Sequence, residues 1–361
     1  TCRGTYLGWL AGPRNQPIIP IGYVFIYFAG LERRILLDGS HGKVQPEEYK
    51  RLFAEVVRLN KVYGDLNNSF GRYSNRLLET MCIMKPDLVQ PPVDGGPPTG
   101  LPTLFRVALS QRVQSGLPVD ADTALLWIHN TAEYSLRTPA KRCPDEFATL
   151  FKYNFQQQYP QGILVKPNKT TFRPDYLPAS ASLRGFQLDI GEYIDPSILK
   201  APVKKLGAIA DECSTALEPY SRYIGRAGTS RDDARAFVLL PDALAKSDSC
   251  YALNGLYEWV ADEIERNQGL VEVKEFFRKA GMEIPEKLAK KDLDLLQDVS
   301  QKVGFGFAPD PRYHHAKPDL EGKLVIFADG HGATFEPSNH FNQVSLALRL
   351  GVMIASSDGI V

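Results

Sequence analysis

Apolar positions near the start of the chain recur at a helical period. Val24, Phe25, Phe28, Leu31 and Ile35 follow i, i+1, i+4, i+7 and i+11, the spacing of one helix face, with Glu32, Arg33 and Asp38 placed mostly off that stripe. Residues 18–31 carry no charge, and the run then turns basic at Glu32-Arg33-Arg34. Leu52, Val56, Leu59 and Tyr63 mark a second helix that opens near Pro46, a residue suited to a first helical turn, and closes at Gly64. A third helix is predicted over 73–84. Residues 86–102 hold six prolines and three glycines, which cannot sustain a helix and read as a surface linker.

Beyond the linker the pattern predicts helices over 103–113, 120–136 and 144–158. Asp120 or Asp122 suits an N-cap, and Pro144 followed by Asp145 and Glu146 suits a negatively charged first turn. Short strands are predicted at 162–165 and 182–190 around a loop, then helices over 196–217, 249–267, 272–280 and 286–303. Leu253, Leu256, Tyr257, Val260 and Ile264 form the clearest late stripe. A strand pair, 304–308 with 324–328, precedes a last helix over 342–357 that is apolar along one side. No fixed-period repeat supports a solenoid. The expected fold is therefore mainly α, a multi-helix array with a minor β hairpin or small sheet. Its expected segments are a helical unit at 1–85, the linker at 86–102, a second helical unit with short strands at 103–228, a helical unit with the hairpin at 241–341, and a final helix at 342–361.

Composition narrows the function classes. The chain has 361 residues, 43% of them hydrophobic and 23% charged, which is ordinary globular usage. Its 42 basic residues balance 42 acidic ones, so no global field favours nucleic acid or an anionic membrane. Five scattered cysteines without a CxxC fit inert thiols in a reducing cytoplasm better than a disulfide framework or a zinc ribbon. The uncharged run at 18–31 is shorter than the roughly twenty residues of a membrane span, and reads as a buried core helix. No basic n-region followed by an apolar run is visible at the start of the sequence, so no signal peptide is read there.

YLGWLAG (6–12) followed by IGYVFIYFAGLERRILLDG (21–39) resembles the opening of the TerB N-terminal domain. YLPAS (176–180) and LEPYSRYIGR (217–226) are similar to later stretches of that domain. GFGFAPDPRY (304–313), LVIFADG and the terminal IASSDGIV resemble the segment leading into the central TerB domain. The resemblance thus covers nearly the whole chain, with GLERR its most specific part. It implies a module of multidomain bacterial proteins associated with tellurite resistance, chemical stress and phage defence, often encoded beside an ATPase or helicase. It also implies a metal-binding TerB core whose acidic residues start at a DG motif. Here that motif is Asp358-Gly359, so residues 342–361 would be the first helix of that core. The resemblance carries no catalytic residues.

Four sets of side chains are candidates for chemistry. His314, His315, Asp329 and His331, with His340 nearby, are the densest potential ligands; imidazole and carboxylate suit a first-row metal, although hydrated loops often hold histidines and DGHG is a good turn in its own right. Arg33 and Arg34 could grip a carboxylate or phosphate, or could form internal ion pairs, with Asp38 four residues from Arg34. The aromatic cluster Tyr23, Phe25, Tyr27 and Phe28 reads as core rather than a base-stacking platform, because no basic residue is interleaved with it. Lys166, Lys169 and Arg173 could touch phosphates, with Lys200, Lys204, Lys205, Arg222 and Arg226 joining only if folding gathers them; a solvated loop explains the first three more simply.

No P-loop, GxSxG or kinase signature is present, and enzymatic activity is not expected. The resulting expectation is a non-catalytic module that docks partners and couples them to a metal-responsive TerB core. Its expected partners are other modules of the same protein and a neighbouring ATPase or helicase. No cofactor is expected in this chain itself, whereas a divalent metal is in the full core. The alternatives are a nucleic-acid-binding module and a metal-dependent hydrolase built on the histidine set.

Overall fold

The computed structural model describes residues 15–91, 102–188, 191–245, 251–312, 317–328 and 339–357. The chain divides into two compact units, Thr1–Ser214 and Thr215–Val361. Both are helical, with an antiparallel two-stranded sheet in the first and an antiparallel three-stranded sheet in the second. The fold is mainly α with minor sheet.

In the first unit, α1 (Ile21–Arg33) passes directly into a π turn (Arg34–Asp38). Val24, Phe28, Leu31 and Ile35 are buried, as the spacing predicts, and Phe25 packs edge-on against Phe70 with ring centroids 5.3 Å apart. Helices α2 (Pro46–Tyr63) and α3 (Asn68–Met84) complete this core through Val56, Leu59, Leu77 and Met81. Helix α3 starts five residues before the predicted position. Asn67 is responsible: its side chain accepts the Phe70 N–H at 2.9 Å and caps the helix. Replacing Asn67 with alanine should therefore lower the stability of this unit by about 1 kcal/mol in chemical denaturation.

Helix α4 (Pro102–Gln114) leads to α5 (Ala121–Asn130), which Asp120 caps through the Thr123 N–H at 2.8 Å. The helix expected over 120–136 ends early. Thr131 takes an extended conformation, and the chain re-enters helix as α6 (Thr138–Arg142), with Pro139 in its first turn. Helix α7 (Pro144–Gln158) stacks Phe147, Phe151 and Phe155 beneath α5. The strand expected at 162–165 is a single bridge between Ile163 and Val119. It cannot lengthen, because the Leu117 N–H already bonds to the Arg112 carbonyl and Ala121 begins α5. The strand expected over 182–190 is narrower: β1 (Asp175–Tyr176) pairs with β2 (Phe186–Gln187). A 3-10 turn (Pro196–Ile198) then precedes α8 (Lys200–Ala216), the two separated by the extended residue Leu199.

The second unit contains α9 (Glu218–Ile224), α10 (Ala234–Val238), α11 (Asp242–Ala245) and α12 (Tyr251–Asn267). Along α12, Leu256 and Val260 are buried while Tyr257 is 62% exposed, so the stripe is narrower than the sequence pattern. The strand β3 (Leu270–Glu272) was not expected; it is followed at once by α13 (Val273–Lys279). Helix α14 (Lys290–Val303) leads into β4 (Phe305–Ala308), which pairs with β5 (Lys323–Ala328) in the register Phe305 to Ala328. The strand order is β3-β5-β4. Gly269, with φ of 75°, lies where a Cβ would stand 1.9 Å from the Ile326 carbonyl oxygen, so only glycine lets β3 reach β5 there. The last helix, α15 (Asn339–Ser357), leaves Leu346, Leu348, Leu350 and Met353 more than 60% exposed.

Candidate functional site

The most concentrated chemistry among the described residues lies where the basic end of α1 meets the YLPAS loop. Glu32 is fully buried. This corrects its expected place off the apolar stripe: Phe28, Glu32 and Ile35 follow i, i+4 and i+7, so the side chain must enter the core beside them. A carboxylate can occupy such a site only when donors replace water. Three do so. The Tyr176 hydroxyl donates to Oε1 at 2.5 Å, the Ala179 N–H to Oε1 at 2.9 Å, and the Ser180 N–H to Oε2 at 3.0 Å. Two consecutive amides thus serve one oxygen each. Burial, and then the charge of Glu32, push the Tyr176 phenol well above its ordinary value, which keeps it a donor. The two sequence stretches GLERR and YLPAS are in direct contact at this point.

One residue on, the two arginines diverge. Arg34 turns toward α2: its Nε donates to Glu48 Oε1 at 2.8 Å, its Nη2 to Glu48 Oε2 at 3.0 Å, and its Nη1 to Asp38 Oδ2 at 3.1 Å. These bonds hold the Glu48 carboxyl below the usual range and raise the guanidinium further. Arg33 points outward, is exposed, and has no ion pair or hydrogen bond among the described residues.

A second buried carboxylate joins α3 to α4. Glu79 is 4% exposed, and its Oε1 accepts the N–H groups of Thr103 and Leu104 at 2.6 and 3.1 Å, at the start of α4. Burial raises its pKa to about 7 against the lowering effect of those amides. A third, Asp195, receives Arg106 and the Ser197 hydroxyl, while its own carbonyl accepts the Asn168 amide at 2.7 Å. Arg106 also lies 4.3 Å from the centre of the Phe172 ring.

These inward contacts explain the loop that bears the candidate cations. Asn168 and Phe172 tie residues 166–173 down, and Lys166, Lys169 and Arg173 project as exposed side chains without ion pairs among the described residues. The other basic residues are dispersed. Lys200 lies 3.7 Å from Glu133, Lys205 lies 5.9 Å over the Tyr159 ring, and Arg222 pairs with Glu218 at 2.6 Å. Lys204 borders a cleft of about 440 Å³ where the Tyr134 hydroxyl donates to Asp211 at 2.8 Å.

His314, His315, Asp329, His331 and Asp358 lie outside the described residues, as does the side chain of His340. Among the described residues, no three His, Cys, Asp or Glu side chains gather into a metal-ligand group. None of their helices is long and apolar enough to cross a membrane.

The sequence reading did not anticipate Tyr176, Glu79 or Asp195. A signal existed for Glu32 in its spacing from Phe28 and Ile35. None existed for its donors, which lie 144 to 148 residues away. No curated protein and no solved structure matches the chain. The stretches at 176–180, 217–226, 304–313, 324–330 and 354–361, whose likeness to the family rests on the sequence alone, lie beyond the residues that a family model matches. That model is the TerB N-terminal domain, and it matches residues 1–140.

Proposed function

We propose that the chain is a non-catalytic module of a TerB-type protein associated with tellurite resistance, stress or phage defence, which docks partners and couples them to a metal-responsive TerB core. The observation that carries this reading is the match of residues 1–140 together with the use made of the signature charges. Glu32 and Arg34 are spent on internal bonds, so the GLERR segment serves as a rigid frame, and its outward residues remain for contact. The coupled metal would belong to the TerB core rather than to this frame. A cytoplasmic site of action fits the cysteine usage.

Two measurements test the reading. The intact native protein, isolated with its neighbours, should retain an ATPase or helicase in fixed ratio, and loss of that partner in every preparation would overturn docking. Elemental analysis should find divalent metal in a longer protein containing the whole TerB core but not in this chain. About one metal per chain here would instead favour the histidine-based hydrolase. The nucleic-acid alternative depends on Lys166, Lys169 and Arg173. If all three met phosphates, log K would fall against log salt with a slope of about −2.7 for duplex DNA. The expected result is no such salt-dependent binding in fluorescence anisotropy, even at low ionic strength.

A further inference from the structure

We infer that the outward face of α1 is a docking surface for an amphipathic helix that carries an acidic residue, an inference that rests on the docking reading above. The inward face of α1 is fully engaged, yet its outward face is apolar too. Ile18 is 56% exposed, Tyr23 40%, Ile26 71% and Leu37 38%. Surface apolar residues scattered singly need no explanation, but Tyr23, Ile26 and Leu37 recur along one helix and its π turn, with Ile18 just ahead of the Pro20 N-cap. Ile26 stands between Gly22 and Gly30, which are exposed and have nothing within 4 Å of where a Cβ would be. A helix laid across this point can approach closely, because interaxial distance is set by the side chains at the crossing.

Charge identifies the occupant. Positions 22, 26, 30, 33 and 37 share one face, so Arg33 sits between the apolar residue Leu37 and the open centre at Gly30 and Ile26. Its neighbour Arg34 is held by two carboxylates, whereas Arg33 has none among the described residues. Covering the face with a purely apolar partner would desolvate an unpaired guanidinium, which is costly. A partner with Asp or Glu opposite Arg33 removes that cost and fixes the register.

A second copy of the chain does not meet this requirement. A parallel pairing of two α1 helices brings Arg33 against Arg33. An antiparallel pairing that brings Arg33 to the copy's Asp38 must cross near residue 35, which leaves Ile18 and Ile26 uncovered, and Asp38 is already bonded to Arg34. The surface therefore fits a different protein helix, with apolar residues at i, i+4 and i+7 and a carboxylate one turn farther.

The test uses the whole chain and a synthetic amphipathic peptide of that pattern, with a twin in which lysine replaces the glutamate. Binding is read by fluorescence anisotropy. The glutamate peptide should bind, the lysine twin about tenfold more weakly, and Arg33→Glu should reverse the preference. Ile26→Asp should abolish binding of both, with circular dichroism unchanged because the position is exposed. Binding indifferent to Arg33, or no binding, would overturn the inference. So would self-association of the chain, seen by sedimentation, that Ile26→Asp removes. If a native partner is retained equally by the Ile26→Asp protein, docking stands and this surface is wrong. If neither partner nor peptide binds, both readings fall.

Discussion

Replacing Glu32 with alanine should lower the stability of the first unit by about 3–5 kcal/mol, the scale of orphaning three buried donors at once after partial relaxation. The loss comes from what remains rather than from what is removed. The Tyr176 hydroxyl and the Ala179 and Ser180 N–H groups would face a dry cavity with no acceptor, each costing about 1–3 kcal/mol before relaxation. Glu32→Gln should cost less, because one oxygen still accepts while the amide meets at most one donor head-on. Tyr176→Phe should fall near the lower variant, and the two should couple in a double-mutant cycle. Hydrogen exchange at residues 21–38 and 175–180 reads the effect locally, without requiring the two units to unfold together. A change below about 1 kcal/mol for Glu32→Ala would remove the anchor role. By the same logic, a chain cut at residue 140, where the family match ends, lacks every donor to Glu32 and should lose protection across α1.

The second large effect is one of pH, and its direction is opposite to ordinary acid unfolding. Burial moves Glu79 from 4.5 to about 7 in the folded chain. Between those values the folded state binds more protons than the unfolded state, so stability falls as pH rises. The contribution is fully present below about 4.5 and is lost as pH passes through 7, amounting to about 3 kcal/mol over the window at 1.36 kcal/mol per unit. Glu79→Gln keeps an oxygen for the Thr103 and Leu104 amides but has no proton to lose. The difference in stability between wild type and this variant should therefore slope across the window and be flat outside it. The variant should be the more stable of the two above neutrality. Equal pH profiles for both proteins would show that Glu79 does not titrate there.

Much of the local structure was legible, and the reasons are specific. The i, i+4, i+7 and i+11 positions of α1 are buried because a helix has one face to give to α2 and α3. Arg34 and Asp38 pair as their spacing allows, and β4 with β5 follows from two short runs divided by a polar loop. The misses arise where a residue far along the chain decides. Ile163 needed more than one free partner beside Val119 to become a strand. Leu270–Glu272 is too short to carry a period, and it is a strand only because Gly269 can lie against Ile326. Glu32 belongs to both cases. Its position on the stripe was readable, but its compatibility with burial was not, because its donors come from a loop in another part of the first unit.

That separation also bears on how the protein is made. On a ribosome adding roughly 5–20 residues per second, Glu32 emerges about 7–30 seconds before Tyr176 exists. Through that interval the carboxylate must stay in water, and α1 cannot seat Val24, Phe28 and Ile35 in their final places. The nascent chain therefore shows an apolar helix to its surroundings until 144 further residues have been added, the stretch of synthesis in which a chaperone would have the most to hold.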